Sequence, residues 1–273
     1  MATEDAPPAG EPRTWERPTA FYNRTVKWLV YGGITLFVLW SLWDVRIAPD
    51  RFAQGLGAGV EFVVRALPPD FGARQRDLIL TGMFESLAMS VVATIVGIII
   101  SLPVALMAAE NLVPRSVYVV GRSIITVTRA FHELIVAIIA VKAVGFGALA
   151  GVIALSYKTI GFFGKLLAED LEDIDEGQID AMRATGANRW QVLLYGVLPQ
   201  VVPRIVGLSI YRWDINIRHS TVIGIVGAGG IGITLLNSFD KYEYDFSFAI
   251  IIVIVAVVLF GEGVSALVRR RVQ

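Results

Sequence analysis

Seven ionisable residues sit where the surrounding chain is apolar. Arg129, His132 and Glu133 interrupt one oily run, and Arg212, Asp214, Arg218 and His219 interrupt another. A charge at the centre of a membrane-crossing helix costs about 3 kcal/mol on insertion scales, so such groups face a bundle interior or water, and pair where they can. Guanidinium groups offer two parallel donors that match phosphate-like oxygens. The residues therefore support two uses. One is a set of internal ion pairs. The other is a path biased toward an oxyanion by Arg129, His132, Arg212 and His219, with Lys142 and Lys158 as further cations. On one continuous helix Arg129 and Glu133 would share a face, with His132 beside them, and Asp214 would face Arg218. Arg212 has neutral Asn216 one turn on, while Asp214, two residues away, points to a different face. Its partner is then Glu133, another helix, or a passing anion.

Bond-breaking machinery is missing from the sequence. There is no G-x-x-x-x-G-K-[ST] phosphate loop, no G-x-S-x-G and no H-E-x-x-H, and His132-Glu133 lacks a second histidine four residues on. With no cysteine, disulfides, thiolate metal sites and a cysteine nucleophile are excluded, and the redox compartment stays open. The string "GAGGIG", 227–232, matches the dinucleotide fingerprint, but that motif has meaning only between a strand and a helix. Here an apolar span follows. The expectation is a non-helical turn with close backbone packing between the last two spans. Irregular backbone at membrane depth is buried in protein or lines a cavity, which makes Gly227, Gly229 and Gly230 candidate path residues.

The elements that must position these groups are membrane helices. Of 273 residues, 55% are hydrophobic and 18% charged, against about 25% charged in soluble domains. Lys plus Arg and Asp plus Glu both number 24, so charge gives no argument for nucleic acid. Residues 1–25 read as a flexible cytoplasmic tail and 26–46 as a first transmembrane helix, with Trp28, Trp40 and Trp43 near its ends. Residues 47–77 read as an external loop. Within it Phe52, Leu56, Val60, Val63, Val64 and Leu67 recur at helical spacing, as in an amphipathic surface helix. The core, 78–268, holds five more spans: 83–108, 117–144 as one long helix with a polar stripe, 148–167, 199 to about 219, and 246–268. Residues 269–273 form a basic cytoplasmic tail. Arg13, Arg17, Arg24 and Lys27 precede the first span and Arg269, Arg270 and Arg271 follow the last, so the positive-inside rule puts both termini in the cytoplasm. The segment between the fourth and fifth spans then lies on the cytoplasmic side.

That segment, 169–199, is polar. An acidic lead-in is favoured before a helix N-terminus. Residues 179–185 make about two turns, and Gly186 is placed to stop them. Asn188 can cap a second short helix over 189–195, and Pro199 starts the fifth span. The plain reading is an amphipathic connector. Asp180-Ala181-Met182, then three residues, Gly186, and later Leu198-Pro199 resemble the coupling loop of ABC importer permeases. That loop reads Glu-Ala-Ala, three residues, Gly, nine residues, Ile, any residue, Leu-Pro. Asp180 departs from Glu, Met182 from the second Ala, and Gly196 stands where Ile is expected. "RATGANRWQVLLYGVLPQVVP", "RAFHEL" and "GIVGAGGIG" resemble the phosphonate-transport branch of that family, whose members also move phosphite or inorganic phosphate. This similarity covers roughly residues 78–271.

The resemblance implies an all-α polytopic permease of the type I family, with about six transmembrane helices and a cytoplasmic coupling loop, in the cytoplasmic (inner) membrane. It implies a second permease chain, identical or sister, two cytoplasmic ATPase subunits and an external substrate-binding protein. ATP and Mg belong to those ATPases, and no cofactor or metal to this chain. Asp180, Ala181, Arg183, Gly186, Asn188, Leu198 and Pro199 take the coupling role. The rival reading is an intramembrane enzyme acting on a lipid phosphate, with the same Arg and His residues as an anion clamp. Such an enzyme has no need of the coupling segment.

Overall fold

The computed structural model describes residues 23–44 and 49–272, and among them every regular element is a helix. Most of the tail expected at 1–25 lies outside those residues. Two units form, one up to Glu61 and one from Phe62. In the first, α1 (Arg24–Asp44) is apolar on every face, and its 21 residues reach about 30 Å, a bilayer's apolar thickness. Helix α2 (Pro49–Arg65) is amphipathic as expected, with Phe52, Leu56 and Val60 exposed along one stripe.

The second unit contains α3 (Ala73–Ala108), α4 (Arg115–Ala130), α5 (Glu133–Val144), α6 (Ala148–Glu172), α7 (Glu176–Ala184), α8 (Arg189–Gln191), α9 (Leu198–Ile223), α10 (Ile231–Asp240) and α11 (Tyr244–Val272). A π-helical turn, Val192–Val197, joins α8 to α9, and a 3-10 turn, Gly224–Val226, closes α9. Five stretches are long and apolar enough to cross a bilayer: α1, α3, α6, the α8–α9 rod Arg189–Val226, and α11. The α4–α5 pair adds a sixth if counted as one span.

That pair corrects the expected third span. The chain breaks at Phe131–His132, and α4 and α5 meet at 89°. No proline or glycine marks the break. Polar side chains at the corner take up the backbone groups that a continuous helix would satisfy itself. The rod corrects a second expectation. Residues 189–195 are not a separate short helix, because the π turn carries them straight into α9. Pro199 stands in the first turn of α9, as expected, but that turn continues a rod that begins at Arg189. Proline has no N–H to donate, and the wide turn ahead of it already runs on i→i+5 bonds, with the Leu198 N–H donating to the Leu193 carbonyl.

Close approach sets the core. Helices α3 and α6 touch along small residues, as membrane helices do where backbones must come near. A methyl group on Gly97 would stand 2.5 Å from Thr159 Cβ, and one on Gly151 would stand 2.8 Å from Met89 Sδ. At one end of the bundle Val104, Phe163, Leu167 and Leu171 form a cluster that also takes in Ile179 of α7 and Val197 of the π turn. The segment between α6 and α9 is thus packed into the bundle.

Candidate functional site

Helix α9 presents Arg212, Asn216 and His219 at i, i+4 and i+7, one face of the helix. Burial makes this face a polar column in an apolar bundle: Arg212 is 2% exposed and Asn216 is fully buried. The Arg212 Nε donates to Thr159 Oγ1 of α6 at 2.9 Å, and its guanidinium lies 5.4 Å from the Phe162 ring centre. Asn216 Nδ2 donates to Thr94 Oγ1 of α3 at 2.8 Å and to Thr159 Oγ1 at 3.3 Å. Arg212 Nη2 and Asn216 Oδ1 are buried without a hydrogen-bond partner among the described residues. Arg212 has no carboxylate within ion-pair distance among the described residues, so its partner is the hydroxyl of Thr159 rather than Glu133. Asp214 pairs with Arg218, one turn along, as the spacing predicts.

Glu133 gathers the other candidates. Because the helix breaks, it does not share a face with Arg129. It opens α5, is 8% exposed, and receives three basic side chains from three places. His219 Nδ1 of α9 is 3.1 Å from Oε1, His132 Nε2 is 3.6 Å from Oε1, and Lys158 Nζ of α6 is 3.9 Å from Oε2. The His219 approach is close but not aligned as a hydrogen bond. His132 caps α5: its Nδ1 accepts from the Leu134 N–H at 3.3 Å, which leaves Nε2 turned to Glu133. Lys158 Nζ also donates to the Phe131 carbonyl at the end of α4, at 3.3 Å. The corner between α4 and α5 is held by these contacts. Arg129, on the last turn of α4, is exposed and makes no ion pair among the described residues. Lys142 is exposed on the last turn of α5.

Gly227, Gly229 and Gly230 form the non-helical turn expected between the last long helices, all with positive φ, and all three are buried. A methyl group on Gly229 would stand 2.6 Å from the Ala148 nitrogen, and one on Gly230 would meet Ser86 Oγ. Ser86 Oγ accepts from the Ile231 N–H at 3.0 Å. The turn is a tight seat against α3 and the start of α6.

In the coupling segment, Gly186 has φ +82° and ends α7, with open space where a side chain would stand. Asn188 and Gln191 form a reciprocal capping box at the start of α8. Asp180 pairs with Arg183 at 3.2 Å, and both are exposed, as is Ala181. Leu198 and Pro199 lie exposed on the rod. Between α7–α8 and the loop after α3 runs a groove of about 840 Å³ lined by Leu112, Pro114, Arg183, Trp190 and Leu193.

Residues 101–273 match the family described as binding-protein-dependent transport system inner membrane component. The phosphite transport system permease protein PtxC of Stutzerimonas stutzeri is 41% identical over 235 residues, 85% of each chain. The chain belongs to this family. It is the permease subunit of an ABC importer, a multi-pass membrane protein and a transport component rather than a lipid-phosphate enzyme. The putative phosphite permease HtxC of the same organism is 43% identical over 70% of this chain and 68% of its own length. The phosphate-import permease PhnE of Mycolicibacterium smegmatis is 40% identical over 89% of this chain and 45% of its own. Among solved structures, the inward-facing MetNI methionine transporter superposes at TM-score 0.65 and 23% identity, over 74% of this chain and 100% of that one. An alginate importer superposes at TM-score 0.55 and 18% identity, over 89% and 96%. These two establish the fold.

Reading the permease from sequence missed Thr94 and Thr159, the hydroxyls that hold the polar column together. A threonine in an apolar span gives no signal of its own. Its neighbours four residues back on the helix supply an acceptor, and only the fold brings Asn216 and Arg212 to it.

Proposed function

We propose that this permease carries a phosphonate-like oxyanion, such as phosphonate, phosphite or inorganic phosphate, along the polar column of α9. The observation that carries the reading is the set of relatives, at 40–43% identity, that bear the names of phosphite and phosphate transporters. The chemistry of the column agrees. Arg212 is a buried guanidinium with no carboxylate within ion-pair distance among the described residues, which suits a group that an anion passes. Both termini lie in the cytoplasm. A second permease chain completes the path, and an external binding protein delivers the anion.

Two cytoplasmic ATPase subunits hold the ATP and Mg and move the coupling segment. Asp180, Ala181, Arg183, Gly186 and Asn188 present the surface they push, and Leu198 and Pro199 pass the displacement to α9. Support comes from the packing. Ile179 of α7 shares one apolar cluster with Val197 below α9 and with Phe163 and Leu167 of α6. A push on α7 is therefore transmitted to the two helices that carry Arg212, His219 and Lys158, as one packed body rather than through a flexible link. Gly227, Gly229 and Gly230 seat the outer end of α9 against α3 and α6. No bond in the substrate is broken.

The test is uptake into vesicles by the assembly of permease, ATPase and binding protein. Labelled phosphite, inorganic phosphate and methylphosphonate are offered in turn, with methionine as control. ATP-dependent, saturable uptake of at least one of the three anions is expected. Uptake of methionine alone, or of none of the four, overturns the proposal.

A further inference from the structure

The permease has two histidines in all, 87 positions apart in sequence, and both converge on one carboxylate. With Lys158 they surround Glu133 with three nitrogens at 3.1, 3.6 and 3.9 Å. These nitrogens come from the α4–α5 corner, from α6 and from α9, and they address both carboxylate oxygens. We propose that Glu133 is a tethered stand-in for the transported oxyanion: its carboxylate fills an anion site made by His132, Lys158 and His219, and the passing anion's oxygens take its place. This rests on the oxyanion reading given above.

Four observations support it. First, the site is built for negative charge. Among the described residues, the side chains within ion-pair distance of Glu133 are all basic: Lys158 on α6, His219 on α9 and His132 beside it, while Asp214 is engaged by Arg218. Second, the carboxylate stands at the first residue of α5, a half-helix created by the break. In broken membrane helices such N-termini point at anionic groups, because their free N–H groups and the helix dipole favour negative charge. Third, the contacts are loose. None of the three nitrogens makes an aligned hydrogen bond to the carboxylate, and Lys158 donates instead to the Phe131 carbonyl. A tetrahedral oxyanion has more acceptor oxygens than a carboxylate to share among three donors. Fourth, Arg212 lies two turns down the same face of α9 with a buried, unpartnered Nη2. An anion leaving the Glu133 site meets a second donor.

The stand-in explains how a site of this charge can be left. A fixed cluster of three nitrogen donors, one of them a lysine, would hold an anion. A carboxylate on the same corner competes for the same donors and returns as the anion moves on. Its presence also keeps the resting site filled, so chloride has no free site to occupy.

The experiment uses the permease assembled with its ATPase subunits in lipid nanodiscs, without ATP or binding protein. Equilibrium binding of labelled inorganic phosphate is measured for wild type and Glu133→Gln, which keeps the shape of the side chain and removes its charge. Removing one competing charge about 4 Å from the donors should tighten phosphate binding about tenfold or more. Lys158→Met in the Glu133→Gln background should abolish that gain, and Lys158→Arg should restore part of it. No gain in Glu133→Gln, in an assembly that still holds its ATPases, overturns the proposal.

If Glu133→Gln does not assemble, the wild type answers the question alone. Labelling this chain with ¹⁵N-histidine reports on His132 and His219 only. Both resonances should shift as phosphate is titrated and stay fixed in potassium chloride of equal ionic strength. Equal shifts in both salts, or none, overturn the proposal. Uptake by the wild-type assembly reads the substrate separately. Oxyanion uptake with no phosphate at the cluster sinks the stand-in alone, and absence of oxyanion uptake sinks the reading on which it rests.

Discussion

Replacing Arg212 with methionine separates an electrostatic role from a structural one. The side chain is 2% exposed, so its charge is removed from water and its contacts are few enough to enumerate. Its hydrogen bond to Thr159, from a charged donor, is worth about 1.5–3 kcal/mol. Its position over the Phe162 ring adds about 0.5–2 kcal/mol. Against this, a buried arginine near mid-helix costs about 3 kcal/mol to insert. The two sides nearly cancel. The change also orphans nothing, because Thr159 Oγ1 still donates to the Leu155 carbonyl at 2.7 Å and still accepts from Asn216. Arg212→Met should therefore assemble, with stability within about 2 kcal/mol of wild type. Transport should respond more strongly. A unit charge about 6 Å from a passing anion contributes on the order of 2–3 kcal/mol at an effective dielectric near 20. That predicts oxyanion uptake slower by about 30- to 150-fold, with basal ATP hydrolysis retained. The assay is initial-rate uptake normalised to assembled complex, with thermal unfolding in parallel. Thr159→Val is the contrast: it strands donors on Arg212 and Asn216 and should lower stability by about 1–3 kcal/mol while leaving the charge in place. Normal uptake by Arg212→Met, or a collapse of assembly matched by Thr159→Val, would show that Arg212 only packs the bundle.

Three further outcomes are expected. Gly186→Leu places a side chain at φ +82°, where no atom clashes, so the penalty of about 1–2 kcal/mol is in the backbone alone; the complex should form while stimulation of its ATPase by loaded binding protein falls, and full stimulation would refute the coupling role. Gly229→Ala combines φ +85° with a methyl group 2.6 Å from the Ala148 backbone nitrogen, so it should lower the unfolding temperature far more than Gly186→Leu, and an unchanged melting curve would refute the tight seat. A reporter active only in the cytoplasm should work when fused after Gln273 and fail at Gly72, and the reverse result would put the coupling segment on the wrong side of the membrane.

Hydropathy made the long helices legible because a bilayer demands a run of apolar residues and little else. The segment between α6 and α9 was legible for a different reason. Gly186 and Asn188 act locally, one through its left-handed backbone and the other through a cap completed three residues later by Gln191. The α4–α5 corner was not legible in this way. No proline or glycine stands at the corner itself, where a lysine from α6 binds the Phe131 carbonyl at the end of α4 and a histidine caps α5. The trio Arg129, His132 and Glu133 was visible as an oddity, but reading it on one helix gave the wrong partner for Glu133. Arg212 shows the same limit, since Thr159 lies 53 residues away and carries no charge to announce it. Local chemistry survives translation into sequence, and pairings made by packing do not.

The wide turn at Val192–Val197 carries one residue of extra phase in the rod. An i→i+5 turn holds one residue more than an α-helical turn of the same closure. If that residue were absorbed into regular spacing, everything beyond it would advance like a screw, by about 100° and about 1.5 Å for one residue. The residues that would swing are Arg212, Asn216 and His219. Ile179 of α7 is packed with Val197, so the lever and the screw thread share a bearing. A rod with such a thread can convert a sideways shove at its base into rotation at its middle, without bending and without breaking a loop.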